Sequence, residues 1–212
     1  MNLIFFGPPN AGKGTYAASI TRKYRIPHIS TGDLFREQIK AGTELGKLAD
    51  SYIIKGKLVP DEVTIKMLKE RISRPDCRKG FILDGFPRTI PQGEALESSG
   101  IRIDKVLNFV VSYSKIMERV AGRRTCRKCG AIYHIKNIPP KVPGICDRCG
   151  GELYTRDDQR PEIIKERLRV YKEQTEPLVD FYKKRKLVVD IDANPEADVI
   201  VPVIEKVLNS MR

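Results

Sequence analysis

The chain has 212 residues, of which 41% are hydrophobic and 31% charged, the balance of an ordinary globular protein. No apolar run is long enough to span a bilayer and no signal peptide is visible, so we predict a cytoplasmic protein with no membrane partner. The net charge of +12 favours an anionic partner, either nucleic acid or nucleotide phosphate. The basic residues are spread along the chain rather than collected in one tail, which weakens the case for nucleic acid.

The chain begins with an apolar strand that runs directly into a glycine-rich loop. Residues 3–6 are followed by Gly-Pro-Pro-Asn-Ala-Gly-Lys-Gly-Thr at 7–15, and Gly7, Gly12 and Lys13 have the G-x-x-x-x-G-K spacing of a phosphate-binding loop. Glycine lets backbone N–H groups curl around anionic oxygens, and the helix that follows points its N-terminus at the same phosphates. We therefore expect Lys13 to supply a positive charge for the terminal phosphates.

Two positions depart from the usual loop. Gly14 occupies the hydroxyl position after the lysine and Thr15 comes one place later, an order that resembles nucleoside monophosphate kinases more than GTPases or motor ATPases. Asn10 stands where such loops usually have a third glycine. Asparagine tolerates a left-handed backbone better than most residues, so we expect the loop to keep its conformation.

The rest of the chain alternates helices with short buried strands. We predict helices over 13–25, near 48–53 and over 197–211. Thr31-Gly32-Asp33 is predicted to cap a helix that runs through Leu34, Phe35 and Ile39, and another helix is predicted to start at Pro60, with the proline just inside it. We predict strands over 80–84, 105–111 and 187–191, with another element starting at 27–30. Strands separated by helices predict a parallel sheet covered on both faces, which binds ligands at the carboxyl ends of its strands.

Residues 122–158 interrupt this alternation with glycine, proline and cysteine, and we interpret them as a small inserted domain. Two Cys-x-x-Cys knuckles, Cys126/Cys129 and Cys146/Cys149, have the spacing of a tetrahedral zinc site. Disulfides are disfavoured because we predict no leader sequence and because a fifth cysteine, Cys77, would be left unpaired. Four thiolates leave no position open for water, so the predicted zinc is structural.

Three further segments carry a resemblance to a known family. They are residues 30–36 (Ser-Thr-Gly-Asp-Leu-Phe-Arg), 56–61 (Gly-Lys-Leu-Val-Pro-Asp) and 81–89 (Phe-Ile-Leu-Asp-Gly-Phe-Pro-Arg-Thr). Together with the Gly-Lys-Gly-Thr loop, Gln92 and a late Arg-Asp-Asp, they closely resemble the adenylate kinase family over nearly the whole chain. The cysteine-bearing insert is similar to the long lid of the family's bacterial-type members.

The resemblance implies an α/β P-loop NTPase fold, with a parallel sheet flanked by helices, an inserted helical AMP-binding segment and a small zinc-binding lid. The core would comprise residues 1–29, 60–121 and 159–212, the AMP-binding segment residues 30–59, and the lid residues 122–158. The implied reaction is reversible phosphoryl transfer from MgATP to AMP, giving two ADP, in adenine nucleotide homeostasis. The implied cofactors are Mg²⁺ with ATP and structural Zn²⁺, and the implied state is a monomer without a nucleic-acid partner.

The resemblance also implies the two nucleotide sites. Arg119 and Arg123, four residues apart on one helical face, would close over ATP. The residues implied to bind ATP are Gly12, Lys13, Gly14, Thr15, Arg119, Arg123, Ile132, Tyr133 and Asn194. Those implied to bind AMP are Thr31, Arg36, Lys57, Leu58, Val59, Gly85, Phe86, Arg88, Gln92, Arg156 and Arg167.

Phosphoryl transfer needs charge neutralisation and alignment rather than covalent help. The residues implied to act on the transferring group are Lys13, Asp84, Arg88, Arg123, Arg156 and Arg167. Asp84 would hold magnesium through water, with Asp33 assisting it. The acceptor phosphate is already an anion, so no general base is needed, and we expect Asp157 and Asp158 to form hinge or lid-closing salt bridges.

Two alternatives remain at this point. A UMP/CMP or GMP kinase shares the general pattern, although Gln92, Thr31 and the long lid favour adenine and adenylate kinase. A zinc-ribbon NTPase that binds nucleic acid would explain the charge and the cysteines, but the insert offers few aromatic side chains for stacking beyond Tyr133 and Tyr154.

Overall fold

A computed structural model describes residues 1–211 and contains eight strands within that range. They are β1 (Asn2–Phe6), β2 (His28–Ser30), β3 (Phe81–Asp84), β4 (Lys105–Val110), β5 (Arg123–Cys126), β6 (Ile132–His134), β7 (Leu153–Tyr154) and β8 (Val188–Asp192). Five of them form one sheet in the order β2-β3-β1-β4-β8, in which every neighbouring pair is parallel. This is the predicted parallel sheet.

Helices cover both faces of the sheet. They are α1 (Lys13–Tyr24), α2 (Thr31–Lys40), α3 (Glu44–Ile53), α4 (Asp61–Ile72), α5 (Ile90–Ser98), α6 (Tyr113–Gly122), α7 (Pro161–Val170), α8 (Pro177–Lys183) and α9 (Ala197–Asn209). A π-helical segment, Tyr171–Thr175, joins α7 to α8. The helices predicted from the sequence are present, with two differences at their N-termini.

Those two differences concern which residue caps the helix. Ser30, rather than the predicted Thr31-Gly32-Asp33 run, caps α2, because its Oγ accepts a hydrogen bond from the Asp33 N–H at 3.2 Å. Pro60 stands at the N-cap of α4 and not inside it. In both cases the capping residue differs from the predicted one, since several neighbouring residues have side chains or φ values suited to a helix start.

The strand β1 is buried on both faces, which explains its uninterrupted apolar sequence. Leu3 and Phe5 pack into a core with α1 and α9, while Ile4 and Phe6 pack into a second core with α5 and α8. The alternation of side chains along the strand therefore divides the interior into two layers. The carboxyl ends of β1 and β3 are held side by side, with Phe5 paired to Asp84.

Residues 123–154 form a separate antiparallel sheet in the order β6-β5-β7. Its core is small and consists of Cys126, Ala131, Tyr133, Cys146 and Leu153, with Cys149 packed against it. A core of this size buries little apolar surface, so this part of the chain needs another source of stability. Within residues 1–211, no helix combines the length and apolar character that crossing a bilayer requires.

The helices α2 and α3 cross so closely that one position between them admits only glycine. A Cβ built on Gly46 would lie 2.2 Å from the carbonyl oxygen of Gln38 and 2.7 Å from the backbone nitrogen of Ile39. Both obstacles are backbone atoms, which cannot rotate away as a side chain can. The packing of residues 30–59 therefore depends on the absence of a side chain at position 46.

We predict that Gly46→Ala destabilises the protein, because the helices must separate to admit the methyl group. The expected loss is about 1–3 kcal/mol of unfolding free energy, measured by chemical denaturation. Lys47→Ala is the matched control, since its ion pair with Glu44 is exposed and worth less than about 1 kcal/mol. Equal stabilities of the two variants would contradict the close crossing.

Candidate functional site

The phosphate-binding loop leaves the carboxyl end of β1 and turns into α1. Asn10 and Gly12 have φ values of 63° and 94°, so the predicted tolerance of asparagine for a left-handed backbone is confirmed. A Cβ on Gly12 would lie 2.6 Å from the Tyr16 hydroxyl, and a Cβ on Gly7 would lie 2.9 Å from the Phe109 carbonyl oxygen. Both spacing glycines are therefore required by the geometry of the loop.

Lys13 lies inside the curve of this loop. Its Nζ donates hydrogen bonds to the carbonyl oxygens of Gly7 and Pro8 at 2.8 and 3.0 Å. Burial lowers the pKa of Lys13 to about 8, although the charge of Asp84 opposes the shift. A bound anion would restore the charged form, so the lysine is suited to an anionic ligand.

Asp84 ends β3 and faces the loop from the neighbouring strand. Its Oδ2 accepts a hydrogen bond from His28 Nε2 at 3.2 Å. Although burial alone would raise the pKa of this carboxyl, the hydrogen bond from His28 and the charge of Lys13 lower it to about 2. Asp84 is therefore ionised at neutral pH, and His28 is a neighbour that the sequence analysis missed because the two residues meet only through the pairing of β2 with β3.

Arg119 and Arg123 both reach the loop, but not from one helix face as predicted. The helix α6 ends at Gly122, and Arg123 begins β5 with an extended backbone. Arg119 donates to the carbonyl oxygens of Ala11, Ala193 and Pro195 at 2.9–3.0 Å, whereas Arg123 Nη1 donates to Asn10 Oδ1 at 2.9 Å. The break in the helix directs the two guanidinium groups to different parts of the loop.

A second group of charges comes from the segment between β7 and α7. The carboxylate of Asp158 pairs with Arg156, whose side chain is 8% exposed, and with Arg167 Nη1 at 3.1 Å. Arg156 and Arg167 hold the pKa of the Asp158 carboxyl below its usual range against the effect of burial. The prediction that Asp158 forms a salt bridge is confirmed, and Asp157 also pairs, with Arg160 at 2.7 Å.

The arginines in this region are crowded together and poorly neutralised. Burial lowers the pKa of Arg123 to about 9, and the charges of Arg156 and Arg167 add to the shift. Burial likewise lowers the pKa of Arg167 to about 10, opposed by Asp158. Both guanidinium groups stay protonated at neutral pH, so their mutual repulsion makes the cleft a site for an anion.

Arg88 lies on the other side of the cleft, after β3. Its Nε donates to the Gly85 carbonyl oxygen at 2.9 Å, and Thr31 Oγ1 donates to the same oxygen at 2.7 Å. A Cβ on Gly85 would lie 2.5 Å from Arg88 Nη2, so glycine at this position leaves the room that the guanidinium occupies. Phe86 is 2% exposed and belongs to the sheet core rather than to the surface of the cleft.

Gln92 fixes the loop that carries Arg88. Its Oε1 accepts from the Arg88 backbone N–H and its Nε2 donates to Asp61 Oδ1, both at 2.7 Å. The side chain is 1% exposed. Asp61 also accepts from Thr89 at 2.8 Å. It ends the 56–61 segment noted in the sequence, but this supporting role was not predicted.

The segment 30–59 brings further predicted residues to the same cleft. Arg36 pairs with Asp33 on α2, and Arg36 is close enough to Arg88 to lower its pKa. A Cβ on Gly56 would lie 3.2 Å from Arg167 Cγ, which places the chain that leads into Lys57, Leu58 and Val59 beside the arginine cluster. Val59 itself is 6% exposed and packs between α2 and α3.

The predicted lid residues Ile132 and Tyr133 point in different directions. A Cβ on Gly14 would lie 3.7 Å from Ile132 Cδ1, so Ile132 lies next to the loop at Gly14. The Tyr133 ring lies in the cysteine core, where its hydroxyl is 3.5 Å from Cys146 Sγ and accepts from the Asp147 N–H at 2.8 Å. The Tyr133 side chain thus supports the cysteine cluster and does not cover the phosphate loop.

Asn194 closes the far end of the loop region. Its backbone N–H donates to Asp192 Oδ1 at 3.0 Å, and its Oδ1 accepts from the Ser112 N–H at 2.9 Å. These bonds hold residues 193–195 in the position where Arg119 donates hydrogen bonds to two of their carbonyl oxygens. The arginine therefore ties the segment after β8 to the phosphate-binding loop.

The four cysteines of the two knuckles form a cluster that fits a metal ion. Their sulfur atoms all lie within 4.8 Å of one another, and the pairs Cys126–Cys149 and Cys129–Cys146 are 3.5 and 3.6 Å apart. A tetrahedral zinc ion with bonds of about 2.3 Å sets its sulfurs about 3.8 Å apart. A Cβ on Gly151 would lie 3.0 Å from Cys126 Sγ, so a glycine leaves room for the sulfurs. The cluster could hold zinc.

Comparison with known proteins agrees with this geometry. A family model described as adenylate kinase matches residues 5–187. Proteins named adenylate kinase from Archaeoglobus fulgidus and Methanocella arvoryzae are 52% and 49% identical to the chain, each over the full length of both proteins. A third, from Clostridioides difficile, is 50% identical over 99% of each chain. The chain therefore belongs to the adenylate kinase family, the nucleoside monophosphate kinases that transfer a phosphoryl group between ATP and AMP.

Proposed function

We propose that the cleft at the carboxyl edge of the sheet holds MgATP on the loop side and AMP on the side of segment 30–59, and transfers the terminal phosphoryl group between them. The observation that carries this proposal is the convergence of Lys13, Arg88, Arg123, Arg156 and Arg167 on one cleft, where they influence one another's pKa values. Two anionic nucleotides supply the missing negative charge.

The loop side is suited to the triphosphate. Lys13 and the backbone N–H groups of Gly12, Gly14 and Thr15 surround the position of the terminal phosphates, and Arg123 approaches them from β5. Ile132 shields the same position from water, which favours transfer to AMP over hydrolysis. Arg119 and Asn194 define the edge of the site, where we place the adenine of ATP.

The opposite side is suited to the monophosphate. Arg88 binds its phosphate, with Arg36 beside it. Gln92 holds the Arg88 loop in place by accepting a hydrogen bond from the Arg88 backbone N–H. Thr31, Gly85 and residues 57–59 line the space for the base. We infer that Phe86 acts through packing, because its ring lies in the sheet core.

Arg156 and Arg167 stand between the two sides. Asp158 holds both guanidinium groups in a fixed orientation, which reduces the rearrangement needed when charge shifts from one nucleotide to the other. No side chain needs to remove a proton, since the AMP phosphate is already an anion. Alignment and charge neutralisation by the arginines thus carry the reaction.

Asp84 is the residue we assign to the magnesium of MgATP. Its carboxylate is ionised, is oriented by His28 and lies beside Lys13. An ionised carboxylate in a fixed orientation near the phosphate loop is suited to holding magnesium through bound water. A magnesium ion held there would neutralise part of the charge of the ATP phosphates. Asp33 is paired with Arg36, and we give it no direct part.

The cysteine cluster is proposed to bind one structural zinc ion. Four sulfur ligands leave no position for a reacting water, and the small core of residues 123–154 needs such a link. We further propose that residues 122–158 and 30–59 close over the nucleotides as two separate units. We propose that the protein acts as a monomer, because every residue assigned to the site belongs to one chain. We also keep the cytoplasm as the proposed compartment.

We predict that Arg88→Ala lowers the turnover of ATP plus AMP by about 100-fold or more, because a charged group that aligns the acceptor phosphate is lost. A coupled assay of ADP formation measures this. Arg102→Ala is the matched control, since that side chain is 91% exposed and should keep activity within about twofold. Wild-type turnover with UMP, CMP or GMP in place of AMP, at an equal rate, would contradict the assignment of the base site.

The affinity for ATP should fall as the pH rises, because only protonated Lys13 attracts the phosphates. Its pKa in the free protein is about 8, and that of Arg123 in the same site is about 9. Both groups lose charge between pH 7 and pH 9, Lys13 more completely, and the dissociation constant should rise about tenfold or more over that range. Titration calorimetry at several pH values measures it. AMP is the control ligand, because Lys13 has no part in its proposed site, and a flat ATP profile would refute the role of Lys13.

Removal of zinc with a chelator should lower the melting temperature by about 10 °C or more while changing the rate at 25 °C much less, because the metal supports the lid and does not react. Metal analysis should find one zinc per chain in the wild type and in Cys77→Ser, whose cysteine lies outside the cluster, but none in Cys146→Ser. Lost turnover with an unchanged melting temperature would show that the metal is not structural.

A further inference from the structure

The side chain of Asn10 lies in the middle of the phosphate-binding loop, at a position with φ 63° where glycine would be free of strain. Its Oδ1 accepts a hydrogen bond from Arg123 Nη1 at 2.9 Å. This bond fixes the orientation of the amide, because the reversed amide would place two donors against each other. The Nδ2 group of Asn10 therefore faces away from that nitrogen of Arg123.

Two donors in this contact are left without an acceptor. Asn10 Nδ2 and Arg123 Nε are both buried, and neither has a hydrogen-bond partner among residues 1–211. Buried donors without acceptors are costly and uncommon, so two of them in one contact need an explanation. The charges of Arg156 and Arg167 act on Arg123 and are opposed in part by Asp158, and Arg123 in turn acts on Lys13. In such a positively charged setting, an anionic oxygen is the acceptor best suited to both donors.

We propose that the Asn10 side chain is itself a phosphate-binding group: its Nδ2 donates to an oxygen of the ATP triphosphate, while its Oδ1 holds the Arg123 guanidinium against the same phosphates. This inference rests on the proposed function and extends it to a side chain at a position where loops of this kind usually carry glycine. A glycine there contributes only its backbone, whereas Asn10 adds a donor and a link to β5. The link lets the loop and the lid arginine respond together to the nucleotide.

The test measures binding of the non-hydrolysable ATP analogue AMP-PNP by titration calorimetry, with magnesium in excess and the full chain. Asn10→Gly should weaken binding about tenfold, the effect of losing a hydrogen bond to a charged group. It also relieves the backbone at φ 63°, so a weaker affinity is not explained by strain. Its affinity for AMP and its melting temperature should stay close to those of the wild type.

Arg123→Ala separates direct contact from an effect exerted through the arginine. If Asn10 touches the phosphate, Asn10→Gly should still weaken AMP-PNP binding severalfold in the Arg123→Ala background. An effect that vanishes in that background would overturn the direct contact, and wild-type affinity of the single variant Asn10→Gly would overturn the whole inference. Wild-type protein that binds no AMP-PNP would contradict the proposed function itself, whereas normal wild-type binding with an indifferent Asn10→Gly contradicts this inference alone.

Discussion

Electrostatic repulsion among buried cations is the constraint on which the site depends. Lys13, Arg88, Arg123 and Arg167 all have lowered pKa values, and burial is the largest cause in each case. The charge of Asp84 offsets part of this repulsion at Lys13 and Arg88, and Asp158 does so through its ion pairs with Arg156 and Arg167. A cleft of this kind is costly to fold without an anion, and the cost is recovered as binding energy when nucleotides enter. In the function proposed above, the same charges would both bind the nucleotides and align their phosphates.

The sequence could predict the parts of the site that depend on local geometry. The glycine-lysine spacing, the two cysteine knuckles and the alternation of strands and helices each depend on a few neighbouring residues, and each is present in the structure. The N-caps Ser30 and Pro60 and the end of α6 were not predicted correctly, because a cap depends on which of several suitable side chains makes the hydrogen bond. Arg123 illustrates this: its spacing from Arg119 indicated one helix face, but the chain turns into β5 between them.

Contacts between distant parts of the chain were beyond the reach of the sequence. His28 and Asp84 are 56 residues apart and meet through the pairing of β2 with β3. Tyr133 carries a motif position that suggested a nucleotide contact, yet its ring packs under the cysteines because the small sheet has little else to form a core. Gln92 and Asp61 support the Arg88 loop from below. In each case the partner is chosen by strand register or by packing, which a local pattern does not encode.

The residues proposed to act on the nucleotides and the residues that stabilise the fold are separate in this chain. The phosphate-binding loop, Asp84 and Arg88 follow strands of a sheet whose core is buried on both faces, so their relative positions are fixed by the rigid part of the fold. Arg123, Arg156 and Ile132 belong to the small sheet or its junctions. The apolar core of this unit is small, and we propose that zinc bound to the four cysteines stabilises it. A metal-linked unit can move as one body without losing its internal structure, whereas a unit held by a few apolar contacts would loosen as it moved. In the proposed mechanism, a zinc ion in the cysteine cluster would let the arginines outside the sheet reach the phosphates in a defined arrangement.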